Sequence, residues 1–581
     1  MVQELERTRS TSPFPINAPA AYPVFYRTYS RRFAGGRRET WQDVCARTLT
    51  GLVELGKLTE EERDLVSKMQ RELKAMPSGR WLWVGGTDWS KNPQNFSGAY
   101  NCTSTNVVDW QAFGLMMDLA MMGCGTGAVL EPKYINQLPK IRNKITVEMR
   151  GDVGMTIESQ RREEAEVNVD EANNRVEIIA GDSRQGWVKS YQTLLELSTD
   201  ERFDGEVEAI IDLSDIRPAG EQLKGFGGMA NPVKLPELYG RCAKILNAAI
   251  GRQLNSIECC LLIDEAAACV VAGNIRRSAG MRQFDSDDEI ATGAKENLWR
   301  QDADGNWSID PTKDALRMAN HTRVFHEKPS AEEIETAVRK QFYSGEGAIQ
   351  WAGEAEKRAQ GKGRYGLNPC GEILGQDFHC NLAEIHLNQL NPRDEESQND
   401  AFRAGGIAVA ALLNHQFVED RYQKSREEDP IVGVSFTGFF DFCVKAFGTE
   451  WLEWFAAGRP DTMQGVEFKA QEKAYLNRWK QVVHETVWEY CDRHKIRRPN
   501  RCTTVQPAGT KSLLTGASSG WHPPKAQRFI RRITFRKDDP VALACMDYGY
   551  SVIPSQSDKD EKGNLLNDPF DPRCTEWLVE L

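Results

Sequence analysis

No stretch of this 581-residue chain approaches the roughly 18–20 consecutive apolar residues that a membrane span needs. Its first residues, "MVQELERTRSTSPFPINAPAAYP", lack the apolar core of a secretory signal, so a cytoplasmic location with no membrane partner is expected. A basic excess is missing too. The 73 Lys and Arg against 84 Asp and Glu leave a net charge of −11, which argues against direct nucleic-acid binding. Dense cysteine spacing is also absent. Fourteen scattered cysteines argue against a secreted disulfide scaffold and for free, metal-bound or catalytic thiols. No repeat of about 20–50 residues suggests a solenoid.

What is present is a composition of 40% hydrophobic and 27% charged residues in a chain long enough for roughly two to four domains. Residues 1–25 read as a polar, Pro-rich arm, and residues 26–99 as a helical region in which 40–75 form two helices. Asp109 is placed to cap a helix lined by Trp110, Phe113, Met117 and Met121. The "GCGTGA" that follows fits the G-x-G-x-x-G/A dinucleotide pattern. It comes after a helix and before a strand, the reverse of the context that motif requires, so a nucleotide cradle is the weaker reading. Residues 131–224 change to short, charged, alternating segments and read as an inserted subdomain. Strands alternating with helices elsewhere imply an α/β architecture.

The stretch "GLNPCGEILGQDFHCNLAEI", residues 366–385, carries the chemistry. In an extended segment, side chains two apart share a side, so Asn368, Cys370 and Glu372 are expected to project together. Pro369 favours an extended Asn368, and Gly371 permits close backbone approach. An arbitrary cysteine is more often an inert buried hydrophobe. A zinc site from Cys370, His379, Cys380 and His386 would contain neither a C-x₂-C nor an H-x₃₋₅-H pair. A thiol hydrolase with His379 or His522 as base stays open on pattern. Cys102, in "GAYNCTSTN", adds a third thiol, and three thiols suit redox chemistry better than hydrolysis.

Together, "LNPCGEI", "HCNLAEI", "AYNC", "VVAGNIRRSA", "IDLSDIRP", "GFGG" and "TTVQPAGTKSLLTGASSGWHP" resemble ribonucleotide reductase. The resemblance is nearest to the monomeric, adenosylcobalamin-dependent (class II) ribonucleoside-triphosphate reductases, and it runs from about Tyr26 to the last residue. It implies a ten-stranded α/β barrel of two parallel five-stranded halves over residues 100–540, with the loop carrying Cys370 threaded through its centre. Carried over by resemblance, Cys370 is the thiyl-radical cysteine that removes the ribose 3′ hydrogen. Glu372 is the general base on the 3′ hydroxyl, and Asn368 bonds the ribose hydroxyls. Cys102 and Cys380 are the pair that becomes a disulfide as the 2′ hydroxyl leaves as water.

The resemblance further implies that Gly509, Thr510 and Lys511 of "QPAGTKS", after a strand and opening a helix, meet substrate phosphate. Gly273, Asn274, Arg276 and Arg277 form the loop that couples effector to base choice, and 131–224 builds the deoxynucleotide effector site. Adenosylcobalamin is the implied cofactor. A ribonucleoside triphosphate, a deoxynucleotide effector and a thioredoxin-like reductant are the implied partners. No ATP-cone region is expected before the barrel. Residues 541–581 are expected to be an incomplete C-terminal part of it, with "TEWLVEL" an open-edged strand and a complementing C-terminal fragment as partner. The alternatives are a class I large subunit acting on diphosphates with a separate radical subunit, or a fragment inactive without its complement.

Overall fold

The computed structural model describes residues 12–33, 35–221, 232–270, 279–296, 298–301, 307–344, 347–561 and 563–581. The chain forms two compact units, one of Gln94–Cys380 and Phe417–Arg426, the other of Met1–Pro93, Asn381–Gln416 and Glu427–Leu581. Among the described residues no helix is long and apolar enough to cross a membrane.

The first unit is organised by five parallel strands: β1 (Cys102–Asn106), β2 (Gly125–Val129), β3 (Gly280–Asp285), β4 (Asn320–Phe325) and β5 (Ala348–Trp351). Their spatial order is β5-β4-β3-β2-β1, every neighbouring pair parallel. A hairpin of β6 (Gly366–Leu367) and β7 (Leu374–Gly375) follows. The chain then returns along the free edge of β1 as β8 (Phe378–His379), antiparallel. β1 and β2 are buried along their whole length, as expected where helices cover both faces of a parallel sheet.

The connection from β1 to β2 is the helix Trp110–Met121. Asp109 caps it by accepting the Ala112 N–H at 2.8 Å, a bond worth about 0.5–2 kcal/mol. Phe113, Met116 and Met117 bury completely in this unit's core, so the Met-rich stripe is packing.

Within the same unit, Lys144–Arg150, Glu206–Asp212, Arg175–Ile179 and Glu166–Asp170 form a separate four-stranded sheet in that order, covered by the helix Arg184–Leu197. Val176, Ile178, Val207, Ala209 and Ile211 supply its buried face, while Glu166–Asp170 is exposed along most of its length. This one-sided alternation is what made the segment read as charged and short-period.

In the second unit the helices Trp41–Gly56 and Glu60–Arg71 both begin with a capping box, Thr40 with Asp43 and Thr59 with Glu62. The Pro-rich stretch ahead of them is not a loose arm where it is described. Phe14 is buried against Phe25 and Trp41, with ring centroids 5.4 and 5.9 Å away, and a helix starts at Ala21. Burying one such aromatic is worth about 1.5–3 kcal/mol, enough to pin a short polar segment.

Leu382–His386 lies between Ala75–Pro77, antiparallel, and Gly433–Thr437, parallel. "TEWLVEL" also departs from expectation. Glu576–Glu580 is the middle strand of three, paired antiparallel to Arg532–Arg536 on one side and Val552–Pro554 on the other, because Trp577 and Val579 bury toward the core. It presents no open edge.

Candidate functional site

The Cys370 segment is the tip of the β6–β7 hairpin, and it is a tight turn where the sequence suggested an extended run. Pro369 and Cys370 are its central residues. The Gly371 N–H closes it onto the Asn368 carbonyl at 2.9 Å, and Gly371 takes a φ of +74° that a side chain would strain. Pro369, which was expected to extend the chain, instead presets the first central position of the turn.

The turn separates the three side chains into two roles. Asn368 is fully buried and accepts the Ile373 N–H at 3.1 Å, while its Nδ2 donates to Glu372 Oε2 at 2.7 Å. Cys370 is swung outward, and it is the one exposed thiol among the fourteen.

The other two cysteines meet by strand register. β8 pairs with β1 as Phe378 opposite Ser104 and His379 opposite Thr103, and the next step sets Cys380 opposite Cys102. The Cys380 N–H donates to the Cys102 carbonyl at 2.8 Å, which marks a hydrogen-bonded pair with Cα atoms about 5.5 Å apart. That separation lies inside the ~4.4–6.8 Å window for a disulfide.

Glu372 links the two sets. The Cys380 thiol donates to its Oε1 at 3.6 Å, and Asn368 Nδ2 lies 3.8 Å from Cys380 Sγ. Burial pushes the Glu372 carboxyl above its ordinary value, against the pull of Asn368. Burial, then the Glu372 and Cys370 charges, raise the Cys380 thiol well above the ordinary range. The neighbouring Cys370 raises the Cys102 thiol, and Cys102 in turn lowers that of Cys370 against its own partial burial. One exposed thiol poised toward thiolate, two buried protonated thiols and a carboxyl with a raised pKa thus converge within one unit.

The "GCGTGA" motif is explained here. A Cβ on Gly125 would stand 2.8 Å from Cys102 Sγ and 3.2 Å from Pro369 Cγ. One on Gly127 would stand 2.3 Å from the Leu367 carbonyl. The glycines let the hairpin lie directly on β2, and no nucleotide is needed to account for them.

His379 does not serve Cys370. Its ring packs between Phe417 and Tyr422, each with a centroid 4.5 Å away, and Tyr100 at 5.2 Å. His522 belongs to the other unit, where its Nδ1 lies 2.9 Å from the Ser519 carbonyl oxygen. Among the described residues the set of ligand-type side chains that does converge is Glu131, Asp285 and His326, with ligating atoms within 4.8 Å. Both Glu131 oxygens there are already bonded, to His326 Nε2 and the Tyr365 hydroxyl.

Gly509, Thr510 and Lys511 lie in the second unit. Gly509 and Thr510 are exposed. The Lys511 side chain is buried and already paired, with its ammonium 3.2 Å from Glu384 and donating to the Pro77 carbonyl at 3.3 Å. Only one helical turn, Ser512–Thr515, follows, and the segment before it holds a single bridge, Thr503 to Val434. Gly273, Asn274, Arg276 and Arg277 lie outside the described residues. Sequence reasoning missed Gln283, Gln350 and Glu384; a polar residue inside an otherwise apolar strand was their only signal.

The sequence model of the B12-dependent ribonucleotide reductase insertion domain matches residues 152–246. An adenosylcobalamin-dependent ribonucleoside-triphosphate reductase of Levilactobacillus brevis is 28% identical over 598 residues, spanning 91% of this chain and 76% of the relative. One of Lacticaseibacillus paracasei is 26% identical over 602 residues, spanning 94% and 78%. Among solved structures, a B12-dependent (class II) ribonucleotide reductase superposes with a TM-score of 0.74 at 20% identity, covering 97% of this chain and 81% of the other. The Actinobacillus ureae class Id alpha subunit reaches 0.50 at 11% identity, covering 93% and 80%. The α/β fold is therefore that of the class II enzyme, and the chain is similar to adenosylcobalamin-dependent (class II) ribonucleotide reductases over about nine-tenths of its length.

Proposed function

We propose that this protein reduces ribonucleoside triphosphates to 2′-deoxyribonucleoside triphosphates by thiyl-radical chemistry at Cys370. The observation that carries this reading is one exposed thiol held over a buried pair, Cys102 and Cys380, with Glu372 between them.

A Cys370 thiyl takes the 3′ hydrogen of the ribose and returns it at the end of the cycle. Glu372, fixed by Asn368, accepts the 3′ hydroxyl proton while the 2′ C–O bond breaks. A carboxyl whose pKa burial raises suits that exchange, since it takes up a proton more readily than an ordinary carboxylate. Cys102 and Cys380 give two electrons and two protons, so the products are a deoxyribose, one water and one disulfide. The register that faces the two cysteines lets that bond close with little backbone movement.

Adenosylcobalamin enters through the relatives, whose names carry it. The exposure of Cys370 fits the group, because the thiol to be oxidised is the one reachable from solvent. When bound, that cofactor supplies the one-electron oxidant.

Gly509 and Thr510 meet the substrate phosphates, and Lys511 holds their loop through Glu384. The insertion binds a deoxynucleotide effector, Gly273, Asn274, Arg276 and Arg277 relay it, and a thioredoxin-like protein reopens the disulfide. The stronger likeness to the class II than to the class Id structure favours this reading over a class I large subunit. Deoxynucleotide formation from each ribonucleoside triphosphate with adenosylcobalamin and dithiothreitol tests it, alone and with a candidate C-terminal fragment. Activity that survives Cys370→Ser would sink the thiyl assignment.

A further inference from the structure

The β6–β7 hairpin has two paired residues on each strand, too few to fix its position by its own ladder. Along the outer edge of β6, the Tyr365 carbonyl and the Leu367 N–H point the same way, as groups two residues apart do in a strand. A parallel neighbour would satisfy both with one residue. Among the described residues no strand lies there; two side-chain amides do. Leu367 N–H donates to Gln283 Oε1 at 2.7 Å, Gln283 Nε2 donates to Gln350 Oε1 at 2.6 Å, and Gln350 Nε2 donates to the Tyr365 carbonyl.

Gln283 comes from β3 and Gln350 from β5. The registers with β4, Thr322 opposite Gln283 and Val324 opposite Gln350, put both on one face of the sheet. Both glutamines are buried, at 0% and 8% exposure. The direction of the chain is forced at its ends, because Leu367 can only donate and the Tyr365 carbonyl can only accept. One orientation of the two amides satisfies all four groups.

We propose that Gln283 and Gln350 are positioning residues whose paired amides stand in for a missing strand, fixing the hairpin on the sheet and so holding the Cys370 thiol against Cys102. The pair's hydrogen bonds go to the β6 backbone, and it acts through that backbone. The consequence for turnover rests on the reading of Cys370 given above; the consequence for thiol geometry does not.

The experiment is iodoacetamide labelling of the folded, reduced full chain across pH, with the labelled site located by mass spectrometry. In the wild type Cys370 alone labels, at a midpoint below an ordinary thiol, because of the neighbouring Cys102 and against its own partial burial and the charge of Glu372. In Gln350→Leu the midpoint rises toward the ordinary thiol value of about 8.5 as the hairpin leaves Cys102. In the same variant kcat for deoxynucleotide formation falls at least tenfold, with KM within twofold. Gln350→Glu keeps the size and reports even if Gln350→Leu does not fold. Ionised, it sets an oxygen against the Tyr365 carbonyl and shifts the labelling; protonated at acid pH, it donates as the amide did and restores the wild-type rate. An unshifted midpoint in either folded variant overturns the proposal. A shifted midpoint in a protein whose wild type makes no deoxynucleotide leaves the positioning intact and rejects the reductase reading instead.

Discussion

The seat of the hairpin on β2 can be tested with a single methyl group. In Gly127→Ala the new Cβ would stand 2.3 Å from the Leu367 carbonyl oxygen and 2.8 Å from that of Thr103, where ordinary contact begins at 3.4 Å. Both neighbours are backbone, so no rotamer change relieves the overlap. The hairpin must lift by about 1 Å or the sheet must part, and overpacking of this kind costs about 1–3 kcal/mol. A lift of about 1 Å at a reacting group can cost on the order of a hundredfold in rate. The unfolding midpoint should fall by a few degrees, and deoxynucleotide formation at saturating substrate should drop by about two orders of magnitude. Gly240→Ala is the control. It lies exposed in the helix Leu235–Asn247 with nothing within 4 Å of the added methyl, and it should stabilise by about 0.5–1 kcal/mol. A Gly127→Ala protein that melts and turns over like wild type would refute the claim that these glycines seat the hairpin.

Cys370→Ser should abolish deoxynucleotide formation and leave the melting temperature unchanged, since that side chain is exposed. Mild oxidation with diamide should yield a Cys102–Cys380 disulfide in non-reducing peptide maps; a different partner for either cysteine would break the register argument. Glu372 has a pKa raised by burial, so its contribution to stability is full below the unfolded carboxyl value of about 4.3 and is lost as pH rises through its folded value. Glu372→Gln should therefore melt higher than wild type at neutral pH, with the gain vanishing in acid, while activity is lost; a pH-independent difference would contradict the assignment. Glu384→Gln leaves the buried Lys511 ammonium without its counter-charge and should destabilise by about 3–5 kcal/mol, read by chemical denaturation.

Much of the site was legible because its chemistry is local. Asn368, Cys370, Glu372 and Cys380 sit within thirteen positions, close enough for the sequence alone to group them as one candidate site. Their geometry was not legible. Pro369 with Gly371 is compatible with an extended run or a turn, and the closing Gly371–Asn368 hydrogen bond decides it. "GCGTGA" carried a pattern used for phosphates, and only the approach of Pro369 and Leu367 from distant sequence shows what the missing side chains make room for. Gln283 and Gln350 were invisible for the same reason, since their partners are backbone groups far along the chain. The pairing of Glu576–Glu580 on both sides came from strands whose apolar alternation is short, and a sequence read in order could not see it.

β8 is two residues long and antiparallel to everything else in its sheet, and it covers the otherwise open edge of β1. Cys380 lies at its end, its backbone N–H hydrogen-bonded across to the Cys102 carbonyl. Oxidising that pair would therefore fasten the edge covalently, and reducing it would leave the edge held by a few hydrogen bonds. On the proposed reaction the sheet's flank is clamped and released once per turnover, and amide exchange at Phe378 and Cys380 should slow on oxidation and quicken on reduction.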